Sequence, residues 1–279
     1  MNPRKFLPII ARIMPAPIIM LGLSSAVFAQ SADPSLANPT VAELADNVAK
    51  SRVALNIVWV MLSAFLVMFM QAGFALAESG FTRAKNAGHT IMMNLMVYGV
   101  GVLGFWAIGF ALQMGGSGGS SLLGAGEGGL AREIGVTIGD KLYGLFGASG
   151  FALTGEAYNV PTFALFFFHM ALMGTALAIP TGALSERWKF SALMIYALVA
   201  SSLIYPVFAN WAWGGGWLSS LPFGHGFVDF AGSGVVHLTG AVMALTGSLV
   251  IGPRIGKFGR DGTTRTIPRS EERRVGKEC

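Results

Sequence analysis

The sequence has a single cysteine, Cys279, at its last position, so it offers no disulfide framework and no cysteine-based metal site. It is also poor in charge. Asp, Glu, Lys and Arg make up 12% of the 279 residues, whereas 53% are hydrophobic; a soluble globular domain carries about a quarter charged residues. The mean hydropathy of +0.60 points the same way, to a bilayer rather than water as the solvent. The net charge of +5 could suggest a nucleic-acid partner. However, the Lys and Arg residues stand in short clusters between apolar runs, which is a topology signal, and no nucleic acid is expected. Zinc-ligand spacings, nucleophile elbows and paired carboxylates are also missing. The glycine-rich stretches Gly115–Gly119 and Gly124–Gly129 follow an apolar run instead of joining a strand to a helix, so they are poor phosphate cradles.

The first residues read as a targeting segment. Arg4, Lys5 and Arg12 form a basic region, Ile13 to Leu23 a short apolar core, and Val27 and Ala29 the small-residue pattern before a cleavage site. The apolar run falls short of the ~20 residues a spanning helix needs, which favours a signal peptide over residues 1–29 against an uncleaved helix. Residues 30–52 would then lie on the outer side of the membrane.

Five later segments are long and apolar enough to cross a bilayer: Val53–Leu76, Thr90–Leu112, Val160–Leu184, Ser191–Trp213 and Gly232–Ile251. None alternates with period two, so the sequence predicts an all-α membrane protein of five helices. Arg83 and Lys85 follow the first span, Arg187 and Lys189 the third, and Arg254, Lys257, Arg260 and Arg265 the fifth. The loop from Gln113 to Asn159 is instead glycine-rich and carries Glu127, Glu133, Asp140 and Glu156 against Arg132 and Lys141. By the positive-inside rule the basic loops are cytoplasmic, with the N-terminus outside. Small residues repeat every four positions at Gly174, Ala178 and Gly182, and at Gly240, Ala244, Ser248 and Gly252. That spacing lets membrane helices approach closely.

Ionisable groups at membrane depth are costly and mark pathways or satisfied internal contacts. His237 lies about a turn and a half into the fifth span, and its position is compatible with either. Asp229, just ahead of that span, suits an N-cap for the helix and would also attract cations. Phe166, Phe167, Phe168 and His169 sit in the third span. Trp211 and Trp213 close the fourth, where position alone favours an interfacial belt, with a cation–π site as the functional alternative. His89 and His225 lie in or beside loops and are assigned nothing.

Four ordered stretches together carry a family resemblance: Met70-Gln-Ala-Gly-Phe-Ala-Leu-Ala-Glu-Ser-Gly80, Gly182-Ala-Leu-Ser-Glu-Arg-Trp-Lys-Phe-Ser191, Trp213-Gly-Gly-Gly-Trp217 and Val228-Asp-Phe-Ala-Gly-Ser-Gly-Val-Val-His237. Over residues 53–268 the chain resembles the Amt/Mep/Rh ammonium transporters, as the first inverted repeat of that fold. The resemblance implies that Phe168 acts as the outer gate and that Trp213 lines an external ammonium-recruitment site. It implies that Asp229 supports that site through hydrogen bonds, and that His237 is the first of two pore histidines. His169 stands where many members have glutamine, and its role is left open. Also implied are ammonium or ammonia as substrate with methylammonium as analogue, no cofactor, a homotrimer in the bacterial inner membrane, and contact with a trimeric PII-type regulator.

The chain departs from the family pattern after Pro268. Arg269 to Cys279 is charged and aperiodic; it reads as a disordered tail or, since it begins where a second repeat would follow, as a junction artefact. A single repeat lacks half a pore, so the chain as written is not expected to conduct. Two other readings stand beside transport: an ammonium sensor on the same scaffold, and a membrane enzyme using His237 and Asp229.

Overall fold

A computed structural model describes residues 39–116, 123 and 130–267. The expected signal peptide (1–29) and the charged tail (269–279) lie outside the described residues, as do most of the two glycine-rich stretches. The chain divides into two compact units, residues 1–50 and 51–279. In the first, Thr40 and Glu43 form a reciprocal cap. The Thr40 N–H and hydroxyl donate to Glu43 Oε2 at 2.7 and 2.8 Å, and Thr40 Oγ1 accepts from the Glu43 N–H at 3.3 Å. This S/T-x-x-E pattern satisfies backbone donors that a helix start otherwise leaves open. Asp46 and Lys50, one turn apart, form an exposed ion pair.

Among the described residues five helices are long and apolar enough to span a membrane: α1 (Val41–Phe81), α2 (Ala84–Met114), α3 (Val160–Leu184), α4 (Phe190–Trp213) and α5 (Ser233–Ile251). Four of them match the expected spans within a turn or two. The first differs at both ends, running from Val41 through Phe81 as one helix of 41 residues. At 1.5 Å per residue it is about 60 Å long, roughly twice the hydrocarbon thickness. Its early turns carry Glu43, Asp46, Asn47, Lys50 and Arg52, and these suit water rather than lipid.

α3 is the central element. In its most apolar window 67% of residues are buried, against 6% for α1. It packs against α2 and α5, while α2 also packs against α4. The small residues explain the closeness. A Cβ at Gly174 would meet the Tyr98 ring at 2.5 Å, and one at Gly182 would meet Glu78 Oε1 at 3.0 Å. On α5, a Cβ at Gly240 would meet the Ala176 carbonyl at 2.9 Å. Between α2 and α4, Gly104 and Gly109 clear room for Ser201. Both helices carry a π-helical turn there, Phe105–Gly109 and Ala200–Ile204. Pro206 follows the second; it has no N–H to give the preceding turn, which loosens the i→i−4 ladder at that point.

The glycine-rich connection holds the one feature the apolar pattern does not predict, an antiparallel hairpin of β1 (Glu133–Ile138) and β2 (Lys141–Gly147). Its register pairs Glu133 with Gly147 and Ile138 with Lys141, with a bulge between Ile134 and Gly135. It sits at the end of the bundle where α2 and α4 finish and α5 begins.

Candidate functional site

At that hairpin end, the segment entering α5 folds around Asp229. Oδ1 accepts the N–H groups of Gly232 and Ser233 at 2.8 and 3.0 Å, and Oδ2 those of Gly234 and Val235 at 2.8 and 2.7 Å. Gly232, at φ 97°, makes the left-handed turn that aims these four groups at one carboxylate. Burial works to raise the Asp229 carboxyl, but the four backbone donors outweigh it and hold the group below the usual carboxylate range. The N-cap expected from sequence is therefore present in an extended form.

Trp213 closes α4 against this turn. Its indole Nε1–H donates to the Asp229 backbone carbonyl at 2.6 Å. The far edge of its ring lies 3.4 Å from where a Gly232 Cβ would stand. His169, from α3, places its ring 5.8 Å from the indole. Phe168 is half-buried beside it, with rings 5.6 Å apart. His169 is itself buried and meets Gln113 of α2, Nδ1 to Nε2, at 2.8 Å. An amide nitrogen can only donate, so Nδ1 accepts and the ring hydrogen resides on Nε2. Trp213 thus touches both Asp229 and His169, and Phe168 joins them through His169, its neighbour in the chain. His237 stands further along α5 in its π-helical opening, with its side chain exposed.

In Trp213-Gly-Gly-Gly-Trp217 the first and third glycines are needed for clearance, and the second, Gly215, takes a left-handed backbone at φ 83°. A Cβ at Gly214 would lie 2.0 Å from the Gln113 carbonyl oxygen, and one at Gly216 2.6 Å from Asn210 Oδ1. The hairpin is tied to the same loop. The Trp217 N–H donates to the Gly144 carbonyl and the Trp211 Nε1–H to the Leu145 carbonyl, each at 2.8 Å. Trp211 has therefore found a backbone acceptor as well as a place at the helix end.

Two polar clusters escaped the sequence reading. Glu78 of α1 is buried and accepts from Asn94 Nδ2 at 2.7 Å and from the Thr181 hydroxyl at 2.9 Å, linking three helices. The signal for it is a carboxylate next to an apolar run, but hydropathy ends the span at Leu76 and leaves Glu78 outside it. At the same end of the bundle Glu186, at φ 65°, accepts from Arg83 and Asn86 and pairs with Arg254 at 3.5 Å. Burial tends to raise the Glu186 carboxyl, yet the Asn86 and Arg83 donors hold it below its ordinary value. Among the described residues no group of three or more His, Cys, Asp or Glu is placed to hold a metal ion.

Comparison with known proteins identifies the family. The sequence model of the Ammonium Transporter Family matches residues 58–271. Ammonium transporter Amt2 of Archaeoglobus fulgidus is 44% identical over 219 residues, covering 76% of this chain and 42% of that protein. A putative ammonium transporter of Synechocystis is 39% identical over 226 residues, covering 77% and 36%. The crystal structure of Candida albicans Mep2 shares the fold with a TM-score of 0.54 at 24% identity, covering 74% of this chain and 41% of that one. The chain spans less than half the length of each of these relatives.

Proposed function

Because this chain belongs to the ammonium transporter family, we propose that it forms part of a transporter, not an enzyme, that recruits ammonium at an aromatic site on the hairpin end. Trp213 and Phe168 supply the aromatic surface. Asp229 supports the site through the backbone, and His237 lines the path beyond, with Phe168 acting as its gate. The observation that carries this reading is the lock between Trp213 and Asp229. A π face is held rigidly beside an ionised carboxylate that spends its own hydrogen bonds on the backbone, so the site attracts a small cation without trapping it.

The energetics of crossing favour loss of the proton. A bare ammonium in a medium of dielectric ~4 carries an idealised desolvation cost of order 20 kcal/mol. The spans are too apolar to offset that with a polar lining. Desolvation lowers the pKa of the bound cation, and neutral ammonia then passes the imidazole of His237. The hairpin end faces outward and the arginine-rich end inward, in a bacterial inner membrane, with a homotrimer and a PII-type regulator as the family's assembly.

The test is direct. The chain in lipid nanodiscs is titrated with methylammonium while tryptophan fluorescence is followed. A saturable change that disappears in Trp213→Leu and persists in Trp188→Phe is expected. No change, or the same change in Trp213→Leu, would sink the recruitment site.

A further inference from the structure

Glu133, the first residue of β1, lies outside the membrane spans and touches none of the residues given a role above, yet hydrogen bonds connect it to them. Asn210 of α4 is fully buried, and its Nδ2 approaches Glu133 Oε2 at 3.4 Å and the Gln113 carbonyl oxygen at 3.1 Å. An amide nitrogen has two hydrogens, so one can serve each acceptor. Gln113, also fully buried, then carries its side chain to His169 Nδ1 at 2.8 Å, and His169 packs on Trp213. The line of contacts is continuous from the hairpin to the aromatic site.

Three atoms on this line have an open bonding capacity. Glu133 Oε1, Asn210 Oδ1 and Gln113 Oε1 are buried and have no hydrogen-bond partner among the described residues. Each amide is thus held from its nitrogen side alone. A change at Glu133 leaves the Asn210 amide nitrogen with the Gln113 carbonyl alone as acceptor, so it is passed on to Gln113. The packing is equally unforgiving, since Cβ atoms at Gly144, Gly214 and Gly216 would strike Glu133, the Gln113 carbonyl and Asn210.

We infer that Glu133 is a positioning residue for the aromatic site, setting the placement of His169 against Trp213 through Asn210 and Gln113. The inference rests on the recruitment-site reading above for its importance, but the coupling itself is a property of the contacts.

The coupling should respond to pH. Burial pushes the Glu133 carboxyl up to about 7, with the Asn210 amide opposing the rise. Among the described residues the elements packed on it present no charge to it. β2 faces it with Gly144, the end of α2 with Gly116, and α4 with Asn210. Arg132, its chain neighbour, is exposed, and Asp140 and Lys141 stand at the opposite end of the hairpin. Above neutrality the carboxylate draws the Asn210 amide strongly, because a hydrogen bond to an ionised acceptor is about twice as strong as a neutral one. Below it that pull is halved.

The experiment is nitrogen NMR of the full chain in nanodiscs, with ¹⁵N-histidine and His169 assigned by its loss in His169→Gln. The His169 ring resonances are expected to move with pH through a midpoint near 7. That midpoint should vanish in Glu133→Gln and in Asn210→Leu, with far-UV dichroism checking that each variant folds. If one variant does not fold, the other still decides. A His169 spectrum that is flat between pH 5.5 and 8.5 overturns the inference, and so does a midpoint that survives in Glu133→Gln. Methylammonium added to the same samples separates the two readings. If it leaves His169 and Trp213 unmoved while the midpoint follows Glu133, the recruitment site fails and the coupling stands.

Discussion

Trp213 donates its indole N–H to the backbone carbonyl of Asp229 at 2.6 Å, while the carboxylate of the same Asp229 collects four backbone N–H groups from the start of α5. One residue thereby fixes the end of α4 and the start of α5. Asp229→Ala should release the four donors and lower stability by about 2 kcal/mol, the upper end for loss of a helix cap. Asp229→Asn retains one strong acceptor and should fall between. Thermal unfolding in detergent would check the order, and equal midpoints for wild type and Asp229→Ala would contradict it.

Clearance at the glycine loop gives a second expectation. Gly214→Ala would drive a methyl to 2.0 Å from the Gln113 carbonyl, a backbone atom that has little room to yield. Overpacking of this kind costs about 1–3 kcal/mol. At Gly73 on α1 a Cβ meets nothing within 4 Å, so Gly73→Ala should be neutral or stabilising in the same assay. If both variants behave alike, the close approach is not what the motif protects.

The sequence was most informative where periodicity and charge act over long stretches. Five apolar runs located five helices because runs without period-two alternation can satisfy their backbone in lipid only as helices. Asp229 was legible as a cap because its position just before an apolar run is local information. Glu78 was not, because hydropathy ends a span at the first carboxylate whether or not a neighbouring helix supplies donors. Its partners Asn94 and Thr181 are 16 and 103 residues away. The hairpin was hidden by the glycines around it, which carry no alternation. Gln113 and Asn210 look like ordinary polar residues at helix ends; only packing reveals that they join the hairpin to His169.

At the arginine-rich end, Glu186 reaches Arg83, Asn86 and Arg254 from a left-handed backbone position. Glu186→Ala should cost about 2 kcal/mol, between an exposed pair and a fully buried one. Its carboxyl is held below the ordinary value in the folded state, so its contribution is present above the unfolded pKa and lost as pH falls through the folded one. Wild type should therefore lose stability on acidification more steeply than Glu186→Gln. Parallel curves for the two proteins would show that the latch does not contribute.

Glu133 should have the opposite sign. Burial raises its carboxyl to about 7, so the folded protein binds this proton more tightly than the unfolded chain. Stability therefore falls as pH climbs from the ordinary carboxylate range through 7, because ionising the buried group opposes folding. Glu133→Gln keeps the shape and cannot ionise. It should match wild type near pH 5 and exceed it at pH 8, with the thermal midpoints separating between those values. Superimposed midpoints across that range would mean that Glu133 ionises as freely in the folded protein as in water, and that its burial under Gly116 and Gly144 is not maintained in solution.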